Sequence, residues 1–100
     1  MFVTLWAFEV KSGCEVLFEK VYGPEGRWVQ LFRREASYRG TRLLREVGRE
    51  RIYLTLDEWE TREAYETFLE KHAAEYAEID KNREGLTLRE ANLSAWSLLR

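Results

Sequence analysis

The chain has 100 residues, 45% of them hydrophobic and 34% charged, which is enough for one folded domain spanning 1–100 and too apolar for disorder. A net charge of −2 and a pI near 5.5 exclude the basic stripe that nucleic-acid binding requires. No apolar run reaches the roughly 20 residues needed to cross a bilayer, so no membrane partner is expected. A lone Cys14 rules out an intrachain disulfide and suits a cytoplasmic protein.

Phe2–Val10 alternates as a strand, with Val3, Leu5 and Ala7 on one face and Phe2, Trp6 and Phe8 on the other. Both faces are apolar, so both should be covered. One layer of helices covers one of them, and a second copy of the sheet is the expected cover for the other. Ser12 and Glu15 have capping-box spacing and predict a helix start. The stripe Leu17, Phe18, Val21 and Tyr22 is its buried side. Gly23-Pro24-Glu25-Gly26 stops that helix, and Pro24 is placed to open a short second one carrying Trp28, Leu31 and Phe32.

Ser37–Val47 reads as the second strand, interrupted at Gly40, which suggests a bulge or a close approach by another group. Gly48-Arg49-Glu50 turns it into a third strand, Arg51–Asp57, to form an antiparallel hairpin. Trp59 stands where strand spacing gives way to helix spacing, at the base of an expected half-buried cavity. Thr61 is a plausible cap for one long helix with the stripe Tyr65, Phe68, Leu69, His72, Tyr76 and Ile79. Lys81 and Arg83 suit its negative pole, and Gly85 its stop. Leu86–Leu99 is the last strand, with a phase change near Arg89-Glu90. The order is β-α-β-β-α-β. This predicts an α+β, ferredoxin-like fold with a four-stranded antiparallel sheet and helices on one face.

Phe8-Glu9-Val10-Lys11, then Gly13, Phe18, Tyr22-Gly23 and the run Tyr53-Leu54-Thr55-Leu56-Asp57 leading to Trp59-Glu60 resemble the antibiotic biosynthesis monooxygenase family. The resemblance covers nearly the whole chain. It implies a dimeric α+β barrel in which two sheets pack face to face. It also implies a pocket between sheet and helices that takes a flat aromatic molecule, oxidised by O₂ without a cofactor. Haem-degrading relatives carry an asparagine where Trp6 stands here, and many members carry a histidine where Phe68 stands.

His72 is the single histidine. It reads either as the proton acceptor of such a reaction or as a packed side chain. Trp59 reads either as a stacking surface for a planar ligand or as a corner plug. Trp6, Phe8, Trp28, Tyr65 and Phe68 are the further candidates for the pocket wall, or for plain core. No metal-ligand set and no phosphate loop is present. Two functions stay open: a cofactor-independent monooxygenase-like enzyme on a small aromatic or quinone-like molecule, and a homodimeric ligand-binding or stress-related module without turnover.

Overall fold

The computed structural model of the chain describes residues 1–82 and 85–99. Arg83, expected near the end of the long helix, lies outside them. Eight elements follow one another: β1 (Phe2–Val10), α1 (Glu15–Tyr22), α2 (Arg27–Phe32), β2 (Tyr38–Arg45), β3 (Ile52–Trp59), α3 (Arg62–Lys71), α4 (Ala73–Asn82) and β4 (Thr87–Ser97). The strands form one antiparallel sheet in the order β2-β3-β1-β4. This is the expected ferredoxin-like arrangement, with each of its two helical connections divided in two.

Register decides which side chains meet the helices. Cross-strand partners share a face. Phe2 pairs with Trp59, Thr4 with Asp57, Trp6 with Thr55 and Phe8 with Tyr53. This set faces the helices, and Phe8, Tyr53 and Trp59 are at most 5% exposed. The other phase carries Leu5 and Ala7 of β1 beside Leu54 and Leu56 of β3, all of them partly exposed, with Val3 buried at 5% near one end.

The core between sheet and helices is a mesh of rings. Phe18 stacks on Tyr22 at 4.3 Å between centroids, and Trp59 meets Phe32, Tyr38, Tyr65 and Phe68 at 5.0–5.6 Å. Each such ring contributes about 1.5–3 kcal/mol through burial.

Three local expectations need correction. The Ser12–Glu15 capping box does not form. Cys14 is the N-cap, with no side-chain cap, because Gly13 at φ +86° and the Cys14 N–H to Lys11 carbonyl bond make a turn that sets Ser12 too far back. Pro24 does not open α2. It stays in the turn, and Gly26 is the N-cap, held so close to α1 that a Cβ there would overlap the Val21 carbonyl. The long helix is interrupted: α3 ends on His72 at φ −114°, and α4 starts at Ala73. Thr61 does cap α3, its hydroxyl accepting from the Ala64 N–H at 3.1 Å.

Candidate functional site

A cavity of about 250 Å³ opens between the sheet and the helices. The sheet supplies its floor: Trp6 and Phe8 from β1, Thr41 from β2, Thr55 and Asp57 from β3, and Glu90 from β4. Its roof is Tyr22 from α1, Trp28 and Phe32 from α2, and Tyr76 and Asp80 from α4. Trp28 and Tyr76 meet edge to face at 4.7 Å, which ties α2 to α4 across the roof. Trp28 is 7% exposed, and its Nε1–H finds no acceptor among the described residues.

Asp57 is the chemically distinctive residue of this space. It sits in mid-strand on the helix-facing side and is 9% exposed. Burial disfavours its charged form and pushes its carboxyl up from 3.8 to about 6, while hydrogen bonds from the Thr41 and Thr4 hydroxyls pull the other way. Thr41 Oγ1 donates to Asp57 Oδ1 at 2.5 Å. The Thr41 hydroxyl also lies 2.5 Å from the Tyr38 hydroxyl. Thr41 has one proton, and it goes to Asp57, so Tyr38 is the donor to Thr41.

The backbone builds this chain of hydroxyls. Tyr38 pairs with Trp59 and Gly40 with Glu58, so Arg39 is an extra residue in β2. Gly40 sits at φ +150°, a region open to glycine. Without the extra residue, Tyr38 and Thr41, three apart, would point to opposite faces. With it, both face Asp57 and the helices.

The residues singled out from sequence divide into groups. Trp6, Phe8 and Trp28 come together on the cavity wall. Tyr65 lines a separate open groove with Arg62 and Asn92, and Trp6 borders both spaces. Trp59 and Phe68 have no exposed surface and do not border the cavity. The half-buried cavity floor expected at Trp59 is instead a buried corner, and the opening lies further along the sheet.

His72 also lies away from the cavity, at the α3–α4 joint. Its Nε2 is 3.1 Å from Glu35 Oε1 and its Nδ1 3.3 Å from Glu75 Oε2. Lys71 Nζ reaches the same Glu35 oxygen at 3.1 Å. These bonds hold the Glu35 carboxyl below its ordinary value, Lys71 first and His72 second. Among the described residues, no group of three or more His, Cys, Asp or Glu side chains is placed to hold a metal ion.

Sequence reasoning missed Asp57, Thr41, Tyr22, Tyr76 and Asp80. A signal for Asp57 was present: it shares its strand phase with Tyr53 and Trp59, and two large aromatics mark the covered side of a sheet.

No family model matches the chain, and no curated protein does. Solved structures match it over its whole length. SnoaB, a cofactor-independent oxygenase from Streptomyces nogalater, superposes with a TM-score of 0.79 at 18% identity, over 99% of this chain and 93% of that one. A candidate antibiotic biosynthesis monooxygenase from Nitrosomonas europaea gives 0.74 at 16% identity, over 100% of both chains. A variant of MhuD with two manganese protoporphyrin IX molecules per active site gives 0.71 at 20% identity, over 100% of this chain and 96% of that one. The resemblance read from the sequence holds in three dimensions: the chain has the fold of the antibiotic biosynthesis monooxygenases.

Proposed function

We propose that the protein is a cofactor-independent monooxygenase for a small hydroxylated aromatic or quinone-like molecule, acting as a homodimer in the cytoplasm. The observation that carries this reading is Asp57, a buried carboxyl titrating near 6 on the wall of an aromatic cavity. A carboxyl in that range takes up and returns a proton close to neutral pH. Proton transfer therefore belongs to Asp57 in this reading and not to His72, whose ring nitrogens are engaged by Glu35 and Glu75 outside the cavity.

Trp6, Phe8 and Trp28 hold the flat substrate by apolar contact. Asp57 removes a proton from a phenol or from the methylene of an anthrone. The electron-rich anion that results passes electrons to O₂ and forms a carbon–oxygen bond. Loss of water from the hydroperoxide leaves a carbonyl, so the methylene and O₂ become a quinone carbonyl and water. Thr41 and Thr4 hold the Asp57 carboxylate in place between the two proton transfers.

The uncovered sheet face supports the homodimer. Leu5, Ala7, Leu54 and Leu56 form an apolar surface there, with Leu44 46% and Trp96 56% exposed at its sides. The unpaired Cys14 thiol supports the cytoplasmic setting. No helix among the described residues is long and apolar enough to cross a membrane.

Oxygen uptake with anthrones and quinols tests the reaction. The expected outcome is turnover that falls about a hundredfold or more in Asp57→Asn and survives in His72→Gln. Ligand-induced thermal stabilisation with no oxygen uptake from any substrate would replace this reading with a binding module that has no turnover.

A further inference from the structure

We infer that Tyr38, which does not border the cavity, is a positioning residue for Asp57 and acts through Thr41. Its hydroxyl commits the one Thr41 proton to the Asp57 carboxylate and so keeps Asp57 in the form that accepts a proton. This deepens the reading above and rests on Asp57 being the proton acceptor there.

The Tyr38 ring is wedged against Trp59 at 5.3 Å and Phe32 at 5.5 Å between centroids. A phenylalanine would fill that place equally well, so packing asks for the ring and not for the hydroxyl. The backbone holds the root of the ring from the other side. Arg39, the extra residue of the bulge, lies outside, where its guanidinium pairs with Glu60 and donates to the Ala36 carbonyl at 2.9 Å. Ring packing within and the Arg39 anchor without leave the Tyr38 hydroxyl in one place, 2.5 Å from Thr41 Oγ1.

A hydroxyl that accepts one hydrogen bond donates a stronger one, so Tyr38 reinforces the bond that Thr41 gives to Asp57 Oδ1. Hydrogen bonds to the charged form of a carboxyl favour that form. Two hydroxyls oppose burial at Asp57, Thr41 first and Thr4 second, and Tyr38 acts on the stronger of them. Tyr38 also stays a donor through the neutral range, because burial first and the Asp57 charge after it push its phenol up. Arg33 and Glu58, the other charged groups that act on this phenol, oppose each other in sign. Asp80 and Glu90 border the same cavity as Asp57 and have partners of their own. They are the same in every variant of Tyr38 and Thr41, so a shift between those variants reports the hydroxyls alone.

Carboxyl titration by NMR on the ligand-free protein tests this without any substrate. Tyr38→Phe keeps the ring and should raise the Asp57 midpoint by about half a pH unit. Thr41→Val removes the hydroxyl that touches Asp57 and should raise it by about one unit or more, and Thr41→Ser should restore it. In the unaltered protein the Tyr38 Cζ shift should follow pH with the Asp57 midpoint, which decides even if Tyr38→Phe folds poorly. Oxygen uptake gives the second readout. Tyr38→Phe should lose about twofold in kcat/KM at pH 6 and almost nothing at pH 8, since a rise in proton affinity depletes the acceptor only near its midpoint. An Asp57 midpoint unmoved in Tyr38→Phe, a Tyr38 shift flat across the Asp57 titration, or an equal loss of uptake at both pH values overturns the inference and leaves Asp57 as the proton acceptor. No uptake by the unaltered protein overturns the reaction, and a midpoint that still moves in Tyr38→Phe upholds the control of Asp57 by Tyr38 apart from it.

Discussion

Asp57 carries a stability consequence as well as a chemical one. Its native carboxyl keeps a proton up to about pH 6, while its ordinary value is 3.8. Between those values the native state binds a proton that the unfolded state has lost, so stability falls as pH rises through the window. The full effect is at most about 3 kcal/mol. Glu35 and Glu75 work in the opposite direction, because their carboxyls are held below 4.5 by Lys71 and His72 and by His72 respectively. Their contribution is present above that value and is lost as pH drops below it. The protein should therefore be most stable near the acid end of that window, at roughly pH 4–4.5, and urea midpoints across pH 3–8 will show the dome. Asp57→Asn should flatten the upper slope and raise the midpoint at pH 7.5, the same change proposed to slow oxygen uptake about a hundredfold or more. Trp59 is a different kind of residue, a fully buried ring among four others. Trp59→Ala should cost about 3–5 kcal/mol in urea unfolding, because the corner loses both its filling and its ring contacts.

Among the elements, β2 shows how one extra residue builds a site. Gly40→Ala meets no steric neighbour, so its cost is conformational, about 1–3 kcal/mol. It should also draw Thr41 away from Asp57. Carboxyl titration by NMR should then find Asp57 above its value in the unaltered protein, since a hydrogen bond to the charged form has been lost. This bulge was legible, because a glycine inside a strand pattern signals one. The β2–β3 hairpin and the Thr61 cap were legible for the same kind of reason, each resting on a residue whose backbone preference or side-chain acceptor is local. The break at His72 was not. Ala73 and Ala74 follow it, with no glycine or proline to mark an end, and the partners of the His72 ring include Glu35, 37 residues away in sequence. Asp57 was legible only in part: its strand phase, shared with Tyr53 and Trp59, marks the covered side of the sheet, but nothing local in the sequence shows that a cavity opens beside it. The leucine phase lies on the opposite face, and Tyr53, Thr55, Asp57 and Trp59 turn toward the helices.

For the molecule as a whole, this division of faces explains why both phases of the central strands are rich in large side chains. The helix-facing phase builds core and cavity, and the opposite phase leaves Leu5, Leu54 and Leu56 in want of a cover. In the proposed dimer, burying them against a second copy would contribute roughly 25 cal/mol per Å² of apolar surface removed from water. The proposed dimer should sediment as such at micromolar concentration, and Leu54→Lys, placed at the middle of that face and away from the cavity, should convert it to monomer. The most direct measurement of the account is a crystal structure with a dihydroxynaphthalene bound. It should show the ligand in the cavity between Trp28 and the sheet, with an oxygen within hydrogen-bonding distance of Asp57, and the opposite sheet face packed on a second copy. A ligand seated elsewhere, with water or side chains filling the space beside Asp57, would contradict it.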